Sequence, residues 1–278
     1  MNSWYQITVE LPLDALEAAS SILFELGSCG LEEKGVDGKI GRLTAFFASE
    51  IGCEGVVREI KARLPAASVS TSGVETLDWA ATWRDRFEPV WPTDRTVICA
   101  PWHDVDPPED GFRILIEPKT AFGTGGHETT RLALRGLEAV VRPGDRVLDV
   151  GTGSGILAIA ARKLGAKAVT AIDTDPLATE NVWKNVSLND VTQIVAETRS
   201  VTADDRGYQV VVANIISSIL TPMLGKLRAA SAPGASVIFG GLLSRERQDF
   251  TSSLEKMGFM IVEVIQEAEW IGFTTSKS

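Results

Sequence analysis

The feature that most constrains the fold of this chain is an apolar strand that runs directly into a glycine-rich turn and then into a helix. Residues 147–155 read Val-Leu-Asp-Val-Gly-Thr-Gly-Ser-Gly. A nearly continuous apolar strand is typical of a parallel sheet that is covered on both faces. The glycines permit a sharp turn and a close approach of the backbone to a ligand at the carboxyl end of that strand. The segment therefore predicts a doubly wound α/β domain with a ligand site at this edge of its sheet.

The rest of the chain from residue 113 onward repeats the alternation of strand and helix. The pattern predicts strands at 146–150, 168–173, 209–214 and 236–240, and helices at 155–164, 176–189, 217–230 and 245–257. Alternation of this kind is typical of α/β proteins with a parallel sheet. We therefore expect a Rossmann-like domain over residues 113–278.

The first 75 residues predict a second, smaller domain. Period-two and helical spacings predict strands at 4–10, 30–36, 43–48 and 68–75, and helices at 14–26 and 54–64. This β-α-β-β-α-β order is that of a ferredoxin-like α+β domain. Eleven acidic residues stand against six basic ones in this segment. An acidic domain suits docking of a basic protein, and an inert solvated surface accounts for the charge equally well.

Residues 76–112 have the character of a connector rich in tryptophan and proline. The four tryptophans are Trp79, Trp83, Trp91 and Trp102. The pattern predicts a helix over 78–87 followed by extended chain, because prolines remove backbone donors and interrupt regular helix. The expected organisation is thus a domain at 1–75, a connector at 76–112 and a second domain at 113–278.

Composition narrows the classes of function. With 27 basic and 37 acidic residues the net charge is −10, which disfavours direct binding to nucleic acid and favours a basic protein or an amine as partner. No apolar run approaches the ~20 residues of a membrane span, and the start of the chain lacks the pattern of a secretory signal, so we expect a cytoplasmic protein that does not contact the membrane. Three isolated cysteines and two histidines predict neither a disulfide framework nor a metal site.

The spacing of the glycine loop distinguishes between nucleotide cofactors. Dinucleotide sites favour GxGxxG, but Ile156 occupies the position of the last glycine, so the loop reads GxGxG. Asp173 ends the next predicted strand, where a carboxylate can accept hydrogen bonds from both ribose hydroxyls of an adenosine. The alternative role, capping the following helix, suits Asp175 better, since Asp175 directly precedes a proline.

A second motif makes the pattern specific. Residues 121–132 read Ala-Phe-Gly-Thr-Gly-Gly-His-Glu-Thr-Thr-Arg-Leu and lie just upstream of the glycine loop. Together the two motifs resemble class I S-adenosylmethionine-dependent methyltransferases, and specifically the PrmA family, which methylates large-subunit ribosomal protein eleven. The chain departs from the family pattern at residues 117–120 and at Gly126, which leaves the conformation of this loop open.

The resemblance implies a set of site residues and a substrate. S-adenosyl-L-methionine would be the cofactor, and its ligands would be Thr130, Gly151, Gly153, Asp173 and Asn214. Thr130 has an alternative role as a hydroxyl that caps a helix start. The substrate would be lysine ε-amines and/or the N-terminal α-amine of the ribosomal protein, and we expect the enzyme to act as a monomer.

Asn214 is the predicted catalytic residue. A lysine amine, with an ordinary pKa of about 10.4, must lose a proton before it attacks a methyl group. The side-chain carbonyl of Asn214 could accept amine hydrogens and orient the lone pair. Phe122 and Trp270 are candidates for lining an amine pocket through cation–π attraction, or else they belong to the core. His127 is expected to order its loop rather than to act as a base.

Three other functions remain open from the sequence alone. A methyltransferase of the same fold could act on another protein or on a small-molecule amine. An NAD-dependent oxidoreductase and a non-catalytic nucleotide-binding scaffold are further alternatives. The separate N-terminal domain disfavours a small-molecule substrate, which needs no docking module, and the GxGxG spacing disfavours NAD.

Overall fold

The computed structural model describes residues 4–28, 30–36, 40–48, 52–74, 88–117 and 125–277. The chain divides into two compact units, Met1–Arg86 and Phe87–Ser278. The helix that the sequence predicts over 78–87 lies outside the described residues. Within the described part of the chain, no helix is both long enough and apolar enough to cross a membrane.

The N-terminal unit is an antiparallel sheet with two helices. In chain order its elements are β1 (Trp4–Pro12), α1 (Leu16–Glu25), β2 (Gly30–Val36), β3 (Ile40–Ala48), α2 (Cys53–Arg63) and β4 (Ser68–Val74). The order of strands in the sheet is β2-β3-β1-β4, and the neighbouring strands run antiparallel.

The core of this unit follows from the alternation in β1. Every second side chain of the strand is buried, namely Tyr5, Ile7, Val9 and Leu11. Because successive side chains of a strand point to opposite faces, this pattern produces one apolar face. That face packs with Leu23 of α1, Phe47 of β3 and Ile60 of α2, and Tyr5 stacks on Phe47 with ring centroids 5.4 Å apart.

A small sheet opens the C-terminal unit. It contains β5 (Val90–Thr93), β6 (Thr96–Cys99) and β7 (Phe112–Leu115) in that order. The residues of β6 are fully buried. Part of the sequence that predicts extended connector therefore forms paired strands.

The main sheet of the C-terminal unit is mixed. Its strands are β8 (Arg146–Val150), β9 (Ala168–Asp173), β10 (Ile194–Thr198), β11 (Tyr208–Asn214), β12 (Ser231–Leu243), β13 (Phe259–Glu267) and β14 (Trp270–Lys277). The order is β10-β9-β8-β11-β12-β14-β13. Pairing from β10 through β12 is parallel, as the sequence predicts, whereas β14 and β13 add an antiparallel hairpin that the sequence analysis missed.

Helices accompany the strands of this sheet. They are α3 (Glu128–Val140), α4 (Ile156–Lys163), α5 (Pro176–Leu188), α6 (Ser217–Ala230) and α7 (Arg247–Lys256). Two apolar clusters form around the sheet, one including α4 residues with β8 and β9, the other including α6 and α7 residues with β11 and β12. The central strands are therefore buried by apolar side chains.

The order of strands places a crevice between β8 and β11. From β8 the chain proceeds outward to β9 and β10, and then it returns to the other side of β8 to form β11. Such a reversal is a topological switch point, and doubly wound sheets bind ligands there, outside the carboxyl ends of the strands. The fold therefore predicts where the functional site lies.

Candidate functional site

A cavity of about 470 Å³ lies at this switch point. It is lined by residues from the ends of β8, β9 and β11 and from the start of α3. The structure brings together around it all the ligand positions that the sequence analysis named, which are Thr130, Gly151, Gly153, Asp173 and Asn214. These residues are spread over 85 positions of the chain, so their convergence is a property of the fold.

The glycine loop forms the floor of the cavity. Gly151, Gly153 and Gly155 all have positive φ angles, of 71°, 53° and 81°. A Cβ atom at Gly151 would lie 2.4 Å from Cγ2 of Ile215, so a side chain there would collide with the segment after β11. The loop is therefore built from glycine for conformation and for space, and its backbone is accessible to a ligand.

A buried acid lies directly behind the loop. Asp149 in β8 is fully buried and accepts a hydrogen bond from Thr152 Oγ1 at 2.6 Å. Burial raises the pKa of the Asp149 carboxyl to about 7, because charge is disfavoured away from water. Asp149 thus supports the loop conformation from inside.

Two aspartates divide their roles at the end of β9. Asp173 lines the cavity; one carboxylate oxygen accepts from the Gly153 N–H and the other from the Asp175 N–H, both at 3.0 Å. Asp175 caps α5 by accepting from the Leu177 N–H at 2.8 Å. The capping role therefore belongs to Asp175, as the sequence indicates, and each carboxylate oxygen of Asp173 keeps a lone pair for a further donor.

The start of α3 forms the opposite wall. His127 caps this helix by accepting from the Thr129 N–H at 3.3 Å, and its Nδ1 is 2.8 Å from Thr129 Oγ1. Thr130 lies in the first turn and is 1% exposed. Because His127 caps this helix, the capping role that the sequence offered as an alternative for Thr130 belongs to His127. His127 thus makes the hydrogen bonds that its predicted ordering role requires.

Asn214 ends β11 and connects the two walls. Its Nδ2 donates to Thr129 Oγ1 at 3.4 Å. Its Oδ1 is buried and has no hydrogen-bond partner among the described residues. A Cβ at Gly240 would lie 2.6 Å from this oxygen, so glycine in the neighbouring strand provides the room that the Asn214 side chain occupies.

Hydrophobic side chains surround the entrance. Ile216 and Ile219 line the cavity and are 56% and 52% exposed. Trp270 also lines the cavity, and its ring packs edge-on against the His127 ring with the two ring centroids 4.8 Å apart. Phe122, the other predicted pocket residue, lies outside the described residues.

Arg199 lines the cavity and was missed by the sequence analysis. Arg199 follows β10, a strand that the sequence did not predict. Its backbone N–H donates to the backbone carbonyl of Asp173 at 2.8 Å. Its guanidinium makes a bidentate pair with Asp205 at 2.8 and 2.9 Å, and this pairing raises the pKa of Arg199. Because the irregular pattern of β10 predicts no strand, the sequence offered no strand end from which Arg199 could be identified.

Comparison with known structures defines the class of protein to which this fold and site belong. A methyltransferase from Pyrococcus furiosus shares the fold, with a TM-score of 0.50 and 17% identity over 59% of this chain and 89% of that chain. A solved structure of ribosomal protein L11 methylase from Lactobacillus delbrueckii subsp. bulgaricus is 33% identical, covers 69% of this chain and all of its own, and has a TM-score of 0.65. The chain thus shares its fold with solved methyltransferases.

Sequence comparison then identifies the family. The model of the family described as ribosomal protein L11 methyltransferase (PrmA) matches residues 3–278. The ribosomal protein L11 methyltransferase of Geobacillus kaustophilus (strain HTA426) is 33% identical over 99% of both chains. This chain belongs to the PrmA family.

Proposed function

We propose that this chain transfers methyl groups from S-adenosyl-L-methionine to lysine ε-amines and/or the N-terminal α-amine of ribosomal protein L11. The observation that carries the proposal is the family match over residues 3–278, joined to a cavity that gathers the family's motif residues at the switch point of the sheet. Relatives that match along nearly their full length bear the name of this activity.

The cavity fits the cofactor at three points. Asp173, already oriented by two backbone donors, has lone pairs for the ribose hydroxyls. Gly151 and Gly153 allow the backbone to approach the ligand closely. Thr130 presents its hydroxyl from the first turn of α3. When bound, the cofactor supplies an electrophilic methyl group on a sulfonium centre.

Asn214 is the proposed catalytic residue. The amine must arrive neutral, and its nitrogen lone pair forms the new N–C bond as the S–C bond breaks and the electron pair of that bond stays on sulfur. The nitrogen then loses its extra proton to solvent. Asn214 Oδ1, which lacks a partner, can accept an amine hydrogen and hold the lone pair in line.

The apolar entrance contributes by excluding water. Ile216, Ile219 and Trp270 provide apolar surface around the amine's path. Water exclusion favours the neutral amine over the ammonium form, because burial penalises charge. The Trp270 ring additionally offers a face to a methylated ammonium product.

The N-terminal unit is proposed to be a ferredoxin-like domain that docks the protein substrate. Its strand order β2-β3-β1-β4 and its alternation of strands and helices support that assignment. Its excess of acidic residues suits a basic ribosomal protein. We propose domain limits of 1–75 and 113–278 with the connector at 76–112. The end of β4 at Val74 supports the first limit, whereas β5 and β6 of the connector pair with β7 in the second compact unit, which begins at Phe87.

We also propose an oligomeric state and a cellular compartment for the enzyme. The enzyme would act as a monomer in the cytoplasm and reach its protein substrate without directly binding nucleic acid. The net charge of −10 supports the last point, since a phosphate backbone would be repelled.

One labelling experiment separates this function from its alternatives. The protein is incubated with S-adenosylmethionine carrying a labelled methyl group and with a ribosomal protein extract, and the labelled band is identified by mass. Label in ribosomal protein L11 supports the proposal. Label only in another protein, or only in a small-molecule amine fraction, would assign the chain a different substrate.

A further inference from the structure

Three polar groups on the cavity wall form a chain of hydrogen bonds, and the directions of these bonds follow from the helix-capping contact of His127. Nδ1 of His127 accepts from the Thr129 backbone N–H, so this nitrogen carries no proton. The Thr129 hydroxyl, 2.8 Å from the same nitrogen, must then donate to it. The lone pairs of Thr129 Oγ1 remain as acceptors.

This direction fixes the orientation of the Asn214 amide. Because Thr129 Oγ1 has already used its hydrogen, it can only accept, and Asn214 must present its NH₂ group to it, as the 3.4 Å contact from Nδ2 shows. The opposite orientation would place two acceptors against each other. The carbonyl oxygen is consequently turned away from Thr129, and it is the buried atom without a partner among the described residues.

An unpartnered buried acceptor is unfavourable unless a ligand supplies a donor. The amine hydrogens of the substrate would be such donors. The orientation of the Asn214 amide therefore decides whether the site presents an acceptor or a donor to that amine.

We propose that Thr129 is a positioning residue, which acts through its hydroxyl to hold the Asn214 carbonyl oxygen as the acceptor for the substrate amine; the inference rests on the proposed function. Thr129 is 2% exposed and precedes Thr130, the proposed cofactor ligand. The two adjacent threonines thus have different tasks.

The test compares two substitutions at one position. Thr129→Val keeps nearly the same shape but removes the hydroxyl, and Thr129→Ser keeps the hydroxyl. We expect Thr129→Val to lower kcat for methylation of ribosomal protein L11 on the order of tenfold, the scale of one misplaced hydrogen-bonded group, while the Kd of S-adenosylmethionine by calorimetry stays within about twofold. Thr129→Ser should restore kcat to within about threefold of the unsubstituted protein.

A matched control removes a buried hydroxyl from β14, away from the cavity. Thr275 is fully buried and its hydroxyl donates to the Val237 carbonyl at 3.0 Å, but it does not line the cavity. Thr275→Val should lower thermal stability and leave kcat unchanged. Equal losses of kcat in Thr129→Val and Thr275→Val would mean that the effect is general destabilisation, and would overturn the proposal.

Coupling to Asn214 gives the decisive comparison. In an Asn214→Ala background, Thr129→Val should cause no further loss of kcat, because the group that it positions is absent. Independent, multiplying losses would overturn the proposal, as would full kcat in Thr129→Val alone.

A spectroscopic readout keeps this inference separate from the proposed function. The side-chain NH₂ resonances of Asn214, assigned by their loss in Asn214→Ala, should shift in Thr129→Val and stay near their original positions in Thr129→Ser. Unchanged resonances in both variants would refute the positioning role even if the enzyme is active. Shifted resonances in a protein that never methylates L11 would instead refute the proposed function and leave the orientation intact.

Discussion

At the scale of single residues, the end of β9 shows how two similar side chains acquire different tasks. Asp173 and Asp175 are two positions apart, yet only Asp173 lines the cavity, while Asp175 caps α5. Strand geometry accounts for the division, because Asp173 is the last residue of the strand and Asp175 directly precedes the proline that begins the helix.

Asp173→Ala should weaken binding of S-adenosylmethionine by ~1–3 kcal/mol, the scale of hydrogen bonds to a charged group. Isothermal calorimetry checks this value. Asp175→Ala is the matched control: it should lower the free energy of unfolding by ~0.5–2 kcal/mol through loss of the cap and leave cofactor affinity nearly unchanged. Equal cofactor affinity in Asp173→Ala and in the unsubstituted protein would show that Asp173 does not contribute to cofactor binding.

Asp149 predicts a specific dependence of stability on pH. Its pKa is about 7 in the folded protein, raised by burial from an ordinary value of 3.8. Between those values the folded state holds a proton that the unfolded chain has released, so the free energy of unfolding falls as pH rises through this window. Below pH ~4 the Asp149 carboxyl is protonated in both the folded and the unfolded state, so its burial no longer lowers the free energy of unfolding.

Asp149→Asn should flatten this dependence, because the amide does not ionise and still accepts from Thr152. Urea denaturation at several pH values between about 4 and 7 measures the effect. The stability of the unsubstituted protein, relative to the variant, should decline as pH increases. Parallel stability curves for the two proteins would show that Asp149 does not titrate in this range.

At the scale of elements, a cluster of ion pairs connects the start of α3 to the β13–β14 hairpin. Arg131 donates to Glu267 at 2.7 Å and to the Gly126 carbonyl at 2.7 Å, and Arg135 pairs with the same glutamate at 3.2 Å. The side chains of Arg131 and Glu267 are only 23% and 25% exposed. The cluster therefore holds the loop before α3 next to the hairpin that carries Trp270.

Glu267→Gln should lower the free energy of unfolding by ~1–2 kcal/mol, since it weakens charge-assisted bonds that are partly shielded from water. Glu180→Gln is the control, because Glu180 pairs with Lys184 one helical turn away and is 59% exposed. That change should cost less than ~0.5 kcal/mol. Denaturant unfolding of the two variants compares them, and equal losses would show that the cluster adds nothing beyond a surface pair.

Central elements of the fold could be predicted from the sequence, and peripheral ones could not. β8 and β9 have the predicted limits, Arg146–Val150 and Ala168–Asp173, because strands buried on both faces are continuous apolar runs. β10 and β13 lie at the two edges of the sheet, where residues such as Val195 are half exposed, and their patterns are too irregular to predict a strand.

The candidate site divides in the same way. Gly151 and Asp173 could be identified because turn chemistry and strand ends are local properties. The contact between Thr129 and Asn214 joins residues 85 positions apart, and only the folded chain reveals it. Residues that bind the cofactor can thus be predicted from the sequence around them. The hydrogen bonds that orient such residues depend on contacts between distant parts of the chain, and local sequence does not predict them.

At the scale of the whole molecule, the chain has two compact units, and the cavity lies in the second. If the first unit docks the substrate, removing residues 1–86 should leave S-adenosylmethionine binding intact and abolish methylation of intact ribosomal protein L11. Docking would raise the effective concentration of each amine, to the millimolar range for a flexible tether. Cofactor calorimetry of the shortened protein serves as the control for folding.

The shortened protein should still methylate a free amine-bearing peptide weakly, at the same rate as the full chain. Filter assays with labelled cofactor compare the two substrates. Methylation of intact ribosomal protein L11 at the full rate by the shortened protein would contradict the docking role.

The most direct measurement is the intact mass of purified ribosomal protein L11 after incubation with this protein and S-adenosylmethionine. We expect mass increases of whole methyl groups, confined after digestion to lysine side chains and/or the N-terminal amine. Asn214→Ala should bind the cofactor yet produce this increase far more slowly than the unsubstituted protein. An unchanged mass of ribosomal protein L11, with the unsubstituted protein binding the cofactor normally, would contradict the proposed methyltransferase activity on this substrate.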